Sequence, residues 1–206
     1  MTEPAWQNTT HDWAKDMDPC HLEHIRQAPA VFSPTGRLHL VLEVLAYAAD
    51  EAQNTGLGNA TVTLHANGWV SVTDNGRGTD TRADSQPPVV RKPVMATKDL
   101  RFFDRPEAAV LPDGHPRRGM SVVAALSEWL VHTNRRHDGA WVQRYEHGLP
   151  VTDLTPIPAD GGTGTTVQYL PDPVLVPAVQ LQPSELRELA RSFGPHLAIK
   201  VIDEHN

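Results

Sequence analysis

Two side chains with acid–base chemistry lie one helical turn apart in the first half of the chain. His39 and Glu43 are four residues apart, in a run whose apolar residues recur at the spacing of an amphipathic helix. A carboxylate that a histidine orients can take a proton from an attacking water molecule. The spacing by itself also fits a solvated ion pair at the edge of a helix, and that alternative stays open.

A second candidate is a turn that carries a carboxylate directly after a predicted strand. Asp74 ends that strand, and Gly76 and Gly78 follow it. Glycine lets a ligand come close to the backbone, so this turn is suited to binding a small molecule. An ordinary Asp-Asn-Gly turn is the alternative. A glycine-rich loop that ends at Thr165 is equally compatible with a plain connection between strands.

Apolar periodicity and turn signals predict the elements that must position these residues. A helix is predicted over 35–56, with Thr35 as its N-cap and Gly56 at its end, and a hairpin turn at Asn67-Gly68. The predicted strands are 60–67, 69–74, 140–147, 165–170 and 197–203, and the other predicted helices are 22–28, 119–130 and 184–193. This order indicates an α+β fold, a two-layer sandwich of helices on a mixed, mostly antiparallel sheet.

The length of 206 residues fits one domain, 20–206, after a polar arm, 1–19, in which Trp6 and Trp13 are the apolar anchors. Within the domain, residues 79–118 lack a clean periodicity and predict a lid-like loop region.

Composition narrows the class of protein. Eighteen Lys and Arg against 25 Asp and Glu leave a net charge of −7, which argues against direct DNA binding because such surfaces are normally basic. The single cysteine, Cys20, excludes an internal disulfide framework and a cysteine-based zinc cluster. No apolar run is long enough to span a membrane, and the N-terminus has no signal-peptide core, so we expect a cytoplasmic protein.

In combination, the motifs resemble the ATPase domains of the GHKL family, of the type found in DNA gyrase B and its counterpart in topoisomerase IV. The resemblance runs from about Leu22 to Val201 and rests on the order of VLEVLAYAADEA, VSVTDNGRG, GMSVVAALS, RYEHGLP and GGTGTTVQYLP. It implies the GHKL (Bergerat) version of the predicted fold and ATP or another adenine nucleotide as the ligand. A homodimer is compatible with it.

The resemblance also implies a role for individual residues. Glu43 takes the place of the glutamate that activates the attacking water, and His39 that of the histidine that orients it. Asp74 matches the aspartate that accepts a hydrogen bond from the adenine amino group, and Thr165 the threonine that helps fix the base through a water. The remaining matches, which pack against the base or support the pocket, are Gly76, Gly78, Asp50, Glu51 and Arg77, with Asp50 expected to support the Asp74 turn.

Three departures from the family pattern fall on the phosphate side of the pocket. Tyr47 stands where the family has its magnesium-binding asparagine, and a neutral phenol is a poor substitute for that amide oxygen, so we expect no metal ligand here. In the family's phosphate loop, Arg117 replaces a glycine and Pro116 has no N–H to donate, which leaves Arg117, Arg118 and Gly119 as the candidate phosphate contacts. In the lid, the hinge glycines are replaced by a sequence containing Phe102 and Phe103, which predicts a lid that is packed down.

These residues lead to three hypotheses about function. The first is adenine-nucleotide binding with weak or absent hydrolysis. The second is a repurposed, non-catalytic module that binds another planar small molecule or a protein partner, for example in specialised metabolism or antibiotic self-resistance. The third is a slow stand-alone ATPase that uses Glu43. Because the family's second domain and its DNA-cleaving tyrosine do not follow, we expect that the chain is not a topoisomerase on its own.

Overall fold

The computed structural model describes residues 10–11, 17–82, 90–91, 94–177 and 181–205. The α-helices are α1 (Pro19–Gln27), α2 (Pro29–Phe32), α3 (Arg37–Thr55), α4 (Met120–Ala125) and α5 (Pro183–Ala190), and a 3₁₀ turn, Arg191–Phe193, follows α5. The strands are β1 (Gly58–Leu64), β2 (Val70–Asp74), β3 (Thr81–Arg82), β4 (Val90–Arg91), β5 (Ser127–Arg136), β6 (Gly139–Glu146), β7 (Leu149–Pro150), β8 (Thr155–Pro156), β9 (Gly164–Pro171) and β10 (Leu197–Asp203).

Eight of these strands form one mixed sheet. Its order is β10-β1-β2-β9-β5-β6-β7, and β8 also pairs with β6. Strands β1 and β10 run parallel, and the other neighbours run antiparallel. The predicted fold class, α+β with a mixed and mostly antiparallel sheet, is therefore confirmed. The short strands β3 and β4 pair with each other, apart from the main sheet.

The first half of the central helix, α3, is buried from Leu38 to Ala46. Its apolar side chains Leu40, Val41, Leu42 and Leu45 are fully buried between the sheet and α4, and His39 and Glu43 are carried into the interior with them. Because His39 and Glu43 are both buried, the structure excludes the alternative that they form a solvated ion pair at the edge of a helix. Charged groups at such depth need partners, and those partners define the candidate site.

The ends of α3 show one prediction that is confirmed and one that is wrong. Gly56 ends the helix, with a φ of 97°. Thr35 is not the N-cap: that position belongs to Gly36, whose φ is 62°, and no side chain caps the helix there. The Thr35 hydroxyl instead donates to Asp113 at 2.7 Å. The hydroxyl that the sequence predicts as the cap of the helix is therefore bonded to a residue far away in the chain.

The predicted helix over 119–130 is too long. Helix α4 ends at Ala125, and the chain continues into β5, a strand that the sequence reasoning missed. A short buried helix and a buried strand are both continuous apolar runs, so periodicity does not separate them. The pairing of β5 with β6 and β9 decides the structure here. The hairpin at Asn67-Gly68 is confirmed, since β1 and β2 are antiparallel on either side of it.

Around Phe102 and Phe103, the described part of the predicted lid-like region packs against the rest of the protein. Both rings are buried, and Phe103 stacks on Phe32 with ring centroids 5.4 Å apart. The described part of the N-terminal arm contacts the same region, because the Thr10 carbonyl accepts a hydrogen bond from Leu100 N–H at 2.8 Å. The predicted arm anchors, Trp6 and Trp13, lie outside the described residues. None of the helices in the described ranges has the length and apolarity that crossing a membrane requires.

Candidate functional site

A cavity of about 360 Å³ lies between α3 and the inner face of the sheet, a size at the lower end of ligand-binding pockets. Strands β2, β5 and β9 supply one wall and α3 supplies the other, while the segment around Met95 and Arg101 closes the space between them. Its polar lining residues belong to two groups. One surrounds Asp74 and the other surrounds Tyr47, and their geometries differ in a way that bears on function.

The Asp74 cluster consists of Asp74, Gly76, Thr165, Glu51 and Arg77. One oxygen of Asp74 accepts the Gly76 N–H at 2.8 Å, and the other accepts a hydrogen bond from the Thr165 hydroxyl. Burial raises the pKa of Asp74, although these hydrogen bonds oppose the rise. The carboxylate is thus held in a fixed orientation at the cavity wall, where it can accept a hydrogen bond from a planar ligand.

An ion pair supports this turn from α3. Glu51 accepts hydrogen bonds from both the backbone N–H and the guanidinium of Arg77, the shortest at 2.6 Å. Hydrogen bonding from Arg77 lowers the pKa of Glu51. Gly76 packs so close to Glu51 that a Cβ there would lie 2.6 Å from the glutamate Cγ. The glycine at 76 is therefore a consequence of the close approach between the turn and α3.

Glu43 lies at the centre of a buried chain of charges rather than at the cavity wall. His39 Nε2 is 3.4 Å from Glu43 Oε1, and His39 Nδ1 is 2.7 Å from a carboxylate oxygen of Asp113. Burial would lower the pKa of His39, but the hydrogen-bonded Asp113 carboxylate and the nearby Glu43 carboxylate outweigh it and raise the pKa to about 9. His39 is consequently an imidazolium that bridges two carboxylates.

Both oxygens of Glu43 also accept backbone N–H groups from the segment that corresponds to the phosphate loop. Arg118 N–H donates to Oε1 at 2.5 Å, and Gly119 N–H donates to Oε2 at 3.0 Å. The side chain is fully buried. Glu43 is not among the cavity-lining residues of the described chain. Its carboxylate is therefore engaged by backbone donors and forms no part of the wall of that cavity.

The Tyr47 cluster consists of two aromatic rings, two arginines and two aspartates: Tyr47, Phe102, Arg101, Arg117, Asp50 and Asp99. The Tyr47 hydroxyl donates to Asp99 at 2.6 Å, and Arg101 donates to the same carboxylate at 2.7 Å. Burial would raise the pKa of Asp99, but the hydrogen bonds from Arg101 and Tyr47 lower it instead. This side of the site is therefore charge-paired within the protein.

Arg117 lies behind the wall of the cavity, not at its surface. Its guanidinium carbon is 4.0 Å from the centroid of the Phe102 ring and 4.5 Å from that of Tyr47, and its Nη2 is 2.9 Å from an Asp50 oxygen. Asp50, which was expected to support the Asp74 turn, is thus paired with Arg117. Arg117, Arg118 and Gly119 are all absent from the cavity lining of the described chain.

Comparison with known proteins places these features in a family. No family model matches the sequence. The chain is 33% identical over 196 residues to the DNA gyrase B protein of Thermotoga maritima, covering 90% of this chain and 30% of that protein. It is 30% identical over 193 residues to the B protein of DNA topoisomerase 4 from Bacillus subtilis, with the same coverage of each. The chain belongs to the gyrase B group of the GHKL family.

A solved structure agrees with this GHKL assignment. The topoisomerase IV ATP-binding domain of Francisella tularensis, in complex with a small-molecule inhibitor, matches with a TM-score of 0.70. The match covers 89% of this chain and 90% of that one at 21% identity, and so shows a shared fold. The chain spans less than a third of the length of the curated relatives that it matches.

Several site residues of this GHKL domain were missed by sequence reasoning. Asp113 and Asp99 are the partners of His39 and Tyr47, and Arg101, Arg136 and Asp80 line the cavity. Arg136 pairs with Asp80 at 3.1 Å. Asp113 comes directly before Gly114, the first residue of the loop motif, and this position in the sequence could have marked it as a site residue. The other residues lie in loops or at strand ends, and their contacts depend on the tertiary structure.

Proposed function

We propose that this chain is a binding domain for an adenine-containing ligand and that it hydrolyses ATP weakly or not at all. The observation that carries the proposal is the Asp74 cluster: a half-buried carboxylate, oriented by Gly76 and Thr165, at the wall of a cavity. Hydrogen bonding of an exocyclic amine to such a carboxylate is worth about 1.5–3 kcal/mol when the contact is desolvated. The cytoplasmic location expected from the sequence is part of this proposal.

The contacts of Glu43 favour binding over turnover. A general base must reach the proton that it removes, directly or through one water. Glu43 is buried, and its oxygens accept the N–H groups of Arg118 and Gly119. His39 carries a proton and faces Asp113 as well as Glu43. This triad acts to hold the loop against α3 rather than to activate water.

Binding and turnover are tested separately. Isothermal calorimetry with adenine, adenosine, AMP and ATP tests the binding proposal, which fails if none of these compounds binds at millimolar concentration. Phosphate release from ATP tests the second part. We expect a rate at the background of the assay that Glu43→Gln leaves unchanged. A clear rate that Glu43→Gln abolishes would instead establish the slow ATPase hypothesis.

The second candidate function is a non-catalytic module with a different planar ligand or with a protein partner. The pairing of all six members of the Tyr47 cluster within the protein is the observation that favours it. A chain that binds no adenine compound, yet is stabilised in a thermal-shift screen by another planar heterocycle with an exocyclic amine, would establish this function in place of the first.

A further inference from the structure

We propose that the cavity accepts an uncharged purine nucleoside or free base and excludes nucleotides, because the protein's own groups occupy the phosphate side. This inference rests on the proposed function and goes beyond it by naming the ligand class. Three independent observations support it: the hydrogen bonds of the loop 114–119, the packing of Arg117, and the charges along the cavity wall.

The loop 114–119 has already donated each of its backbone N–H groups. Gly114 N–H bonds to the Leu111 carbonyl at 2.9 Å, and His115 N–H bonds to the Asp113 side chain at 3.2 Å. Arg117 N–H bonds to the Ala109 carbonyl at 2.8 Å. A phosphate site of this kind works because such N–H groups point at the anion.

The two remaining donors of that loop point at Glu43. Arg118 and Gly119 donate to its carboxylate, and Pro116 has no N–H to offer. An internal carboxylate therefore holds the donors that a phosphate would need. Displacing it would leave Glu43 buried without those partners, which is energetically costly.

The Arg117 side chain fills the space beside the loop. Its guanidinium lies against the rings of Tyr47 and Phe102 and is ion-paired with Asp50. The Arg117 side chain is only 5% exposed. Cation–π contacts are strongest when they are desolvated, so the two rings stabilise the guanidinium where it lies, although its buried Nε and Nη2 make no hydrogen bond with the described residues.

The charge of the cavity wall also disfavours a polyanion. Four carboxylates line the cavity, those of Asp50, Glu51, Asp74 and Asp80, against three arginines. Each of those arginines is already paired, Arg77 with Glu51, Arg101 with Asp99 and Arg136 with Asp80. Arg117 pairs with Asp50 from behind the wall, so Asp74 is the one of these four carboxylates without an arginine partner among the described residues. Its charge, which none of those arginines neutralises, would repel a ligand with several negative charges and would not repel an uncharged nucleoside.

Magnesium does not offset this repulsion. In the GHKL pattern the metal is held at the position of Tyr47, whose hydroxyl here donates its proton to Asp99. Burial raises the pKa of Tyr47 well above its usual range, so the phenol stays neutral. These residues do not fit a magnesium–triphosphate complex.

The first test is a calorimetric comparison of adenosine, AMP and ATP on the full chain, each with Mg²⁺ and with EDTA. We expect adenosine to bind at least tenfold more tightly than AMP or ATP under both conditions. ATP binding as tight as adenosine, or tighter, would overturn this inference while supporting the proposed function. Binding of none of the three compounds would overturn both.

A second test reopens the phosphate side by two substitutions, Tyr47→Asn and Arg117→Gly, singly and together. We expect the double variant to gain at least tenfold in ATP affinity with Mg²⁺ present. The direction of the change in ATP affinity is informative, because Arg117→Gly also removes a positive charge, and that loss by itself would weaken the binding of an anion. If Arg117 instead contacted phosphate, its loss would weaken ATP binding and the inference would fail.

Arg105→Gly is the matched control for that series. Arg105 is an exposed arginine of the same loop region, paired with Glu107. The Arg105→Gly substitution removes the same charge but changes no residue of the Tyr47 cluster, so we expect no gain in ATP affinity. Far-UV circular dichroism identifies any variant that does not fold. If the double variant does not fold, the wild-type comparison of adenosine with ATP decides the matter by itself.

Discussion

Asp74 is the residue whose contacts leave room for a ligand. Its two oxygens accept hydrogen bonds from Gly76 and Thr165, and a carboxylate offers about four lone-pair positions. Glu43, by contrast, has both oxygens engaged and lies outside the cavity lining of the described residues. Two carboxylates that the GHKL resemblance treats as parts of one site therefore differ in access, and only Asp74 can meet a ligand directly.

Substitution of Asp74 by asparagine is expected to weaken adenosine binding by about 1–3 kcal/mol, because the charge-assisted acceptor becomes a neutral amide. Titration calorimetry on the folded variant measures the change. Asp153→Asn, at an exposed residue outside the cavity, is the matched control and should bind like the wild type. Equal affinity in Asp74→Asn and wild type would remove Asp74 from the ligand site.

His39 gives the stability of the protein a defined dependence on pH. Its pKa is about 9 in the folded state against 6.5 for an unperturbed histidine. The stabilisation is fully present below pH 6.5 and is lost as the pH rises through 9. We expect the free energy of unfolding to fall by about 3 kcal/mol over that window.

Urea denaturation at several pH values measures this effect. His39→Gln should remove most of the slope, and Asp113→Asn should reduce it because one of the two carboxylates that hold the proton is gone. His24→Gln, at an exposed histidine of α1, is the control and should keep the wild-type slope. Parallel curves for wild type and His39→Gln would show that His39 carries no such proton.

At the scale of elements, the loop 114–119 is shaped by α3 more than by its own sequence. Glu43, on α3, accepts the N–H groups of Arg118 and Gly119, and Tyr47, one turn later, packs against Arg117. Gly119 has a φ of 105°, and a Cβ there would lie 3.0 Å from Asp99 Cβ and 3.1 Å from the Tyr47 hydroxyl. Residue 119 therefore has a positive φ and also lies close to the side chains of Asp99 and Tyr47.

Gly119→Ala is therefore expected to destabilise the fold by about 2–4 kcal/mol, through backbone strain together with steric overlap. Gly114→Ala is the control, because Gly114 has a φ of 82° but no atom within 4 Å of its would-be Cβ. It should cost about 1 kcal/mol, from the backbone angle alone. Chemical denaturation compares the two, and equal losses would mean that the approach of Gly119 to Asp99 and Tyr47 is not tight.

At the scale of the whole molecule, a ligand that binds the cavity should stabilise the entire fold, since α3 and three strands of the main sheet enclose it. Adenosine at one hundred times its Kd would add about 2.7 kcal/mol to the free energy of unfolding. For a domain of this size that corresponds to a rise in Tm of roughly 5–10 °C.

The rise in Tm should be the same in Mg²⁺ and in EDTA, because the residues of the Tyr47 cluster bond to one another and leave no ligand set for the metal. Differential scanning fluorimetry measures it, with inosine as the control compound. Inosine lacks the exocyclic amine and should give a smaller rise. A rise with adenosine that appears only in Mg²⁺ would contradict the arrangement described for Tyr47.

Sequence alone determined the features that depend on local order and on motif spacing. The hairpin at Asn67-Gly68, the end of α3 at Gly56, the α+β class and the relation to GHKL domains are of this kind. Turn chemistry and apolar periodicity act over a few residues, so they can be detected along the chain. The substitution of Tyr47 for the family's asparagine was visible in the same way.

Only the tertiary structure decided how the charged side chains are paired. Asp113 meets His39 across 74 positions of sequence, and Asp99 meets Tyr47 across 52. The division of 119–130 into α4 and β5 likewise depended on strands that arrive later in the chain. Buried charges take whichever partner the fold brings within reach, because leaving them unpaired in the interior costs several kcal/mol. The pairing of buried charges depends on distances in three dimensions, which the spacing of residues along the chain does not show.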